Sequence, residues 1–407
     1  VSATHGDAPD GGLPVDAADA LLIGRAWLPG EPGGPVLVAV RDGQLHDIGG
    51  LAPTLSALLG IDHPAAAVRA ALQTAVGPGL GSVEAWLASS CEHGADIGYR
   101  HLLAPNDLQV VKAAGVTFAA SMVERVIEEQ ARGDAARAAA IRSQVVSVVG
   151  DNLAAIVPGS PQAMALKGLL LEKNMWSQYL EVGIGPDAEI FTKAPPLASI
   201  GSGARLGLHP ASSWNNPEPE VVLAVNSAGA VVGAALGNDV NLRDFEGRSA
   251  LLLGKAKDNN GSCAIGPFIR LFDERFGIDD VRQAELELTV LGDDGFVLRG
   301  HSSMSQISRD PLDLVKHAMG AYHQYPDGMM LFCGTMFAPT QDRGAVGAGF
   351  THHLNDKVSI ASPRLGSLVN WVDYSDRIPP WRFGIGELIA HLLARDEPHP
   401  ASRSVSC

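Results

Sequence analysis

Glu218 and Glu220 stand two residues apart in Asn215-Asn216-Pro217-Glu218-Pro219-Glu220, and the apolar run VVLAV follows them. On a strand, that spacing sends both carboxylates out of one face. Asn226 to Gly229 is a turn signal between two apolar, β-branched runs, so the stretch predicts a hairpin. If Asn226 pairs with Gly229, Glu218 lies opposite Gly237, Glu220 opposite Ala235 and Asp239 opposite Asn216. Asp239 then approaches Glu218 diagonally at roughly 7–8 Å, within reach of converging carboxylates. Like charges on one patch disfavour ionisation, and a hard divalent cation is the simplest counter-charge. The donors are all oxygens, which favours magnesium over zinc. A solvent-facing strand end with scattered acids would show the same spacing.

A second group lies in Glu189-Ile190-Phe191-Thr192-Lys193, where alternation puts Glu189, Phe191 and Lys193 on one face. Such an acid and base form either a buried pair or an exposed edge. Further upstream, Val110, Val111 and Ala113 lead to the strand end Gly115-Val116-Thr117-Phe118. The helix expected next has an apolar face of Met122, Val126 and Ile127, with Glu124 nearest the strand end. Its charged remainder through Arg142 reads as a solvated face.

The chain that must position these groups has 407 residues, enough for two or three domains and a large core. Hydrophobic residues make up 46% and charged residues 18%, the proportions of an ordinary globular protein. A formal charge of −15 with no basic stripe argues against a nucleic-acid partner. No run of 18 apolar residues suggests a membrane span, and the N-terminus lacks the pattern of a signal peptide. Four cysteines (Cys91, Cys263, Cys333 and Cys407) lie far apart, the pattern of a reducing compartment; a cytoplasmic location is expected. Forty-six glycines and 26 prolines suit a β-rich body better than a helical bundle.

Four segments are expected. Residues 1–16 form a disordered, Gly/Pro/Asp-rich lead, and 17–100 a small N-terminal domain of strands around an Asp42-Gly43 turn followed by helices. Residues 101–392 form the main domain and 393–407 a C-terminal tail. Within the main domain, ELELTVLGDDGFVLRG predicts a hairpin, Asp310-Pro311 a helix start, and GMMLFCGT a strand ending at Gly334-Thr335. Two strands then flank Pro363-Arg364-Leu365-Gly366, and GELIAHLLARDE closes the chain as an amphipathic helix.

PEPEVVLAV, GNDVNLRD, the Gly254-Lys255 pair, IGPF, the strand ending in GT and the final LGSLVN occur in that order. Together they resemble the fumarylacetoacetate hydrolase superfamily over roughly residues 101–392. The resemblance implies an α+β, β-rich fold: a mixed β-roll preceded by a smaller N-terminal α+β domain. It further implies that Glu218, Glu220 and Asp239 hold Mg2+, with Mn2+ as a substitute. Lys255 matches the family's active-site lysine, with Lys257 two residues on as a competitor, and Thr335 matches the threonine that binds the substrate carboxylate. A metal chelated by the C1 and C2 oxygens of a 2-oxo acid acidifies the neighbouring C3–H, and an adjacent lysine neutralises the developing enolate.

Departures from the family pattern narrow the reaction. Hydrolytic and decarboxylating members carry a His followed by a Glu three residues on; Ser121 stands in place of that His, while Glu124 matches the Glu. Without the imidazole, activation of water for C–C cleavage lacks its usual base. Glu246 replaces a glutamine common in the hydrolases. WSQYLEV, AEIFTK, NNPEPEVVL and GNDVNLRDFEGRSALLL resemble the 2-keto-3-deoxy-pentonate dehydratases within the superfamily. That likeness implies dehydration of a 2-keto-3-deoxy-D-pentonate of oxidative pentose catabolism to 2-oxoglutarate semialdehyde. Glu189 would be the C3 base, with Glu124 second to it. Thr117, Ser121, Lys193, Arg243, Glu246 and Thr335 would line the substrate, and the protein would be a homodimer or homotetramer. The alternative is a metal-dependent hydrolase or decarboxylase of an acylpyruvate or diketo acid.

Overall fold

The computed structural model describes residues 12–31, 33–74, 79–131, 137, 156–172, 176–337, 339, 341–344 and 349–396. The strands are, in order, β1 (Leu22–Leu28), β2 (Gly34–Arg41), β3 (Gln44–Asp47), β4 (Gly81–Ser82), β5 (His101–Leu103) and β6 (Val110–Gly115). Next come β7 (Glu189–Ala194), β8 (Arg205–Leu208), β9 (Asn215–Asn216), β10 (Pro219–Val225), β11 (Val231–Asp239) and β12 (Asn241–Leu242). The last are β13 (Cys263–Leu271), β14 (Glu285–Leu291), β15 (Val297–Ser303), β16 (Met329–Phe332), β17 (Lys357–Ser362) and β18 (Gly366–Tyr374).

Among the described residues these strands form two open mixed sheets and a two-stranded antiparallel pair of β9 with β12. The larger runs β4-β3-β2-β1-β13-β11-β10-β16-β6-β7, with β5 on β1, and the smaller runs β15-β14-β17-β18-β8. Each contains one parallel pair, β16 with β6 and β18 with β8. The fold is thus the strand-rich α+β arrangement expected. β10 shows why its sequence reads as an unbroken apolar run. Val221, Leu223 and Val225 enter a core shared with Leu286, Leu288, Ile360 and Leu368 of the smaller sheet. Val222 and Ala224 point the other way, into a core closed by Leu55, Leu58, Val68 and Leu72 from the helices Leu55–Gly60 and Pro64–Thr74. A strand buried on both faces has no polar alternation to show.

The Asp42-Gly43 turn, the β14–β15 hairpin, the Asp310-capped helix Pro311–Ala318 and the β17–β18 hairpin all form where expected. At the N-terminus the outcome differs. Residues 1–11 lie outside the described residues, but 12–16 are held in place rather than free. Val15 N donates to Pro363 O at 2.9 Å, and Asp16 takes a two-pronged contact from Arg270 at 2.7 and 2.8 Å. β1 to β4 do not stand apart from the main body: β1 pairs with β13, so one sheet crosses the boundary expected near residue 100. The closing helix, Ile385–Asp396, runs past residue 392 into the expected tail. The helix after β6, Ala119–Ala131, forms as expected; its extension towards Arg142 lies almost wholly outside the described residues.

Candidate active site

The hairpin β10–β11 is shifted by two residues from the expected register. Glu220 pairs with Gly237 and Pro219 with Asn238, which sets Glu218 directly across from Asp239. The turn is longer than its Asn-Ser-Ala-Gly signal suggests. The Asn226 side-chain oxygen accepts the N–H groups of Ala228 and Ala230, and a bulge follows Ala224. A shift of two preserves which face each side chain occupies. Asp239 therefore still shares a face with Glu218 and Glu220, and its N–H donates to Glu218 O at 3.1 Å. One carboxylate oxygen from each of the three acids lies within 4.8 Å of the others, and all three residues are buried.

Among the described residues, three cations reach these acids. Lys257 Nζ contacts Glu218 Oε2 at 2.5 Å and Asp239 Oδ2 at 3.0 Å. Burial works to lower the Lys257 pKa, but the charges of Asp239, Glu218 and Glu246 outweigh it and raise the pKa, keeping the ammonium protonated. Lys193 Nζ sits behind the triad, 2.7 Å from Asp239 Oδ1 and bonded to the carbonyls of Val240 and Lys257. Burial pushes the Asp239 carboxyl up, yet these two lysines hold its pKa below the usual value. Arg125, on the helix after β6, contacts Glu218 Oε1 at 2.5 Å and Glu246 Oε2 at 2.8 Å. Among the described residues Glu220 meets no cation at this range; its Oε2 accepts the Gly334 N–H at 2.6 Å. Burial, with Asp239 and Glu218 beside it, pushes its pKa well up.

Glu189 faces the same cavity from the start of β7. Burial, followed by the charge of Glu246, raises its pKa to about 7. Its place depends on Gly115, the residue paired with it on β6, because a Cβ there would clash with Glu189 Oε2. The next residue, Val116, has φ of 56°, a strained value for a β-branched residue and of the kind that clusters at functional sites. Phe191, Gly334 and Thr335 complete the wall, with Lys257 Nζ 5.5 Å from the Phe191 ring centre. The cavity holds about 20 Å³, room for one small ion or water.

Not every residue singled out in the sequence reaches this cavity. Lys255 does not: it is exposed, with Nζ 5.0 Å over the Phe245 ring, and Lys257 occupies the position expected of it. The two lie on one short helix, Leu253–Lys257, where residues two apart point to different sides. Thr117 lies beneath the strand end, its Oγ1 donating to Cys333 O at 2.7 Å and packed where a Cβ on Gly334 would clash. Arg243 stacks 4.9 Å over Trp214. Lys193 supports Asp239 rather than lining the cavity. Glu124 is half-buried on the helix, but its neighbour Arg125 lines the site. The Ser121 side chain lies outside the described residues. Arg125 was missed by sequence reasoning, since its charge made it look like part of a solvated helix face.

The donor set fits a hard divalent cation. Three buried carboxylates offer oxygens close together, and no His or Cys is among them. Five carboxylates (Glu189, Glu218, Glu220, Asp239 and Glu246) face Arg125, Lys193 and Lys257, a formal excess of two negative charges.

The chain is 28% identical over 201 residues to a probable 2-keto-3-deoxyxylonate dehydratase of Haloferax volcanii, a match covering 49% of this chain and 65% of that protein. It is also 28% identical over 181 residues to a 2-dehydro-3-deoxy-D-arabinonate dehydratase of Saccharolobus solfataricus, covering 44% of this chain and 57% of the relative. The matched stretches thus span less than two thirds of these relatives. The fold is shared with a 2-keto-3-deoxy-D-arabinonate dehydratase in its apo form, at 19% identity and a TM-score of 0.58. A second structure of such an enzyme, complexed with magnesium and 2,5-dioxopentanoate, gives a TM-score of 0.57 at the same identity. Both structural matches cover 87% of this chain and 99% of the other. Residues 189–373, which carry all five carboxylates of the site, match the family described as fumarylacetoacetate (FAA) hydrolase C-terminal.

Proposed function

We propose that the protein is a magnesium-dependent hydro-lyase. It would dehydrate a 2-keto-3-deoxy-D-pentonate, derived from D-xylonate or D-arabinonate, to 2-oxoglutarate semialdehyde in oxidative pentose catabolism. The observation that carries this reading is Glu189, an acid with a pKa near 7 on the rim of a buried carboxylate triad. The two dehydratase relatives and the solved complex with magnesium and 2,5-dioxopentanoate support it.

Glu218, Glu220 and Asp239 would hold a divalent cation, which would supply Lewis-acid polarisation of a 2-oxo acid. Glu189 as carboxylate takes a proton from C3, and Lys257 places an ammonium where enolate charge develops. The protonated Glu189 then returns that proton to the departing C4 hydroxyl, which leaves as water. Transfer of a proton from C5 to C3 converts the resulting enone into the C4=C5 enol, which becomes the aldehyde as C4 gains a proton and the C5 hydroxyl gives one up. Thr335, which lines the cavity next to Gly334, would bind the substrate carboxylate. Magnesium is the expected metal, manganese its substitute, and a cytoplasmic homodimer or homotetramer the expected form. Chelator-treated protein reloaded with magnesium should convert the deoxy sugar acid and leave acylpyruvate untouched. Turnover of acylpyruvate alone would establish the hydrolase or decarboxylase instead.

A further inference from the structure

Building on the metal site just proposed, we infer that Arg125 is an internal competitor for the metal. A divalent cation gains Glu218 Oε1 by displacing the Arg125 guanidinium, which retires onto Glu246. Three observations lead there. Both Glu218 oxygens are committed to cations: Oε2 to Lys257 and Oε1 to Arg125, each at 2.5 Å. A metal using Oε1 therefore has to break an ion pair whose side chains are 13% and 4% exposed.

Among the three cations, Arg125 is the one built to move. Lys257 is wedged between Glu218 and Asp239, and Lys193 is tied by two backbone carbonyls as well as Asp239. Arg125 reaches in from the helix Ala119–Ala131 on a long flexible side chain. It already holds a second acid, Glu246, through Nη1 at 2.8 Å, while Nη2 holds Glu218. Letting go of Glu218 leaves the guanidinium paired, so no buried charge is stranded.

The cavity supplies the third observation. About 20 Å³ admits an ion but not a five-carbon acid, and Arg125, Glu218 and Glu246 are all part of its lining. Withdrawal of Arg125 from Glu218 frees a metal ligand and enlarges the cavity in one movement. Apparent metal affinity is then the intrinsic affinity multiplied by the fraction of molecules in which Arg125 has retired.

The test is a manganese titration of chelator-treated protein, followed by electron paramagnetic resonance of the free ion, so that turnover plays no part. Arg125→Gln is expected to bind manganese roughly tenfold more tightly than the wild type if about a tenth of wild-type molecules hold Arg125 retired. Glu246→Gln, which removes the refuge and keeps the guanidinium, should bind it more weakly. In the Arg125→Gln background, Glu246→Gln should have no effect beyond about twofold, because the coupling between the two sites is gone. Equal affinity in Arg125→Gln and wild type overturns the inference and leaves the metal site standing. So does an equal loss from Glu246→Gln in both backgrounds, which would be plain loss of a nearby negative charge. No manganese bound by any of the four proteins overturns the metal site and the inference together. Circular dichroism of each variant establishes that it is folded, and Glu246→Gln tests the exchange with the Arg125 helix unaltered.

Discussion

Gly334 N donates to Glu220 Oε2 at 2.6 Å, tying the end of β16 to the triad on β10. Among the described residues Glu220 is the triad member without an ion pair to a lysine or arginine, and its carboxylate resists ionisation in its buried place beside Asp239 and Glu218. Glu220→Gln keeps an acceptor for Gly334 and removes that strain. The chelator-treated variant should melt no lower than the wild type. Magnesium should raise the melting temperature of the wild type, by the equivalent of about 2.7 kcal/mol at a hundred times Kd, and leave the variant unmoved. Differential scanning fluorimetry with and without magnesium reads both outcomes. A magnesium-dependent rise as large in Glu220→Gln would remove Glu220 from the metal site.

The two lysines of Gly254-Lys255-Ala256-Lys257 should separate cleanly in kinetics. Lys257→Met removes the ammonium between Glu218 and Asp239 and should lower kcat by roughly 10²–10³-fold, the usual effect of losing one oxyanion-stabilising group. Lys255→Met changes an exposed side chain stacked on Phe245 and should leave kcat unaltered. Steady-state assays of the pair decide the assignment, and a loss confined to Lys255→Met would reverse it.

Glu189 sets an expectation for pH. With its pKa near 7, the carboxylate that removes the C3 proton is depleted below that value, so exchange of the substrate's C3 hydrogens into deuterated water should rise with pH and level off above about 7. Glu189→Gln should abolish exchange while magnesium still binds. Stability moves the opposite way. The folded protein holds this proton up to about 7 while the unfolded chain releases it near the ordinary carboxyl value of 4.5. The wild type should therefore lose stability relative to Glu189→Gln as pH rises between those two values, and no further above them. Exchange that persists in Glu189→Gln would pass the role of base to Glu124.

Gly115 offers a test of placement without loss of any chemical group. In Gly115→Ala the new methyl meets the end of the Glu189 side chain, so the carboxylate must swing aside while the backbone keeps its conformation. Activity should fall by about 10²-fold, as for a misplacement of roughly an ångström. Thermal unfolding should scarcely change. A variant with wild-type kcat would show that Glu189 works equally well from another position.

Much of this site could be read from the sequence because its parts are regular. Alternation along β10 and β11 put Glu218, Glu220 and Asp239 on one face, and it survived a two-residue error in register because such an error conserves parity. The error came from Asn226, whose side chain folds the turn in a way that residue spacing does not encode. The choice between Lys255 and Lys257 depended on the orientation of a five-residue helix, which has too few turns for a periodic pattern. Arg125 escaped notice for a related reason: among the glutamates of its helix nothing distinguishes an inward-pointing guanidinium from an exposed one. The pairing that joins residues 17–100 to the main sheet was not legible, since β1 meets β13 across about 245 residues of chain.

That pairing has a consequence for anyone seeking a shorter version of the protein. β13 is buried along all nine of its residues, and β1 covers the flank that β11 leaves open. Removal of the first hundred residues would bare an apolar edge with unpaired amides, a ready template for strand addition by other molecules. The remaining fragment, with every acid of the active site intact, is expected to precipitate or fibrillate instead of yielding a minimal catalyst.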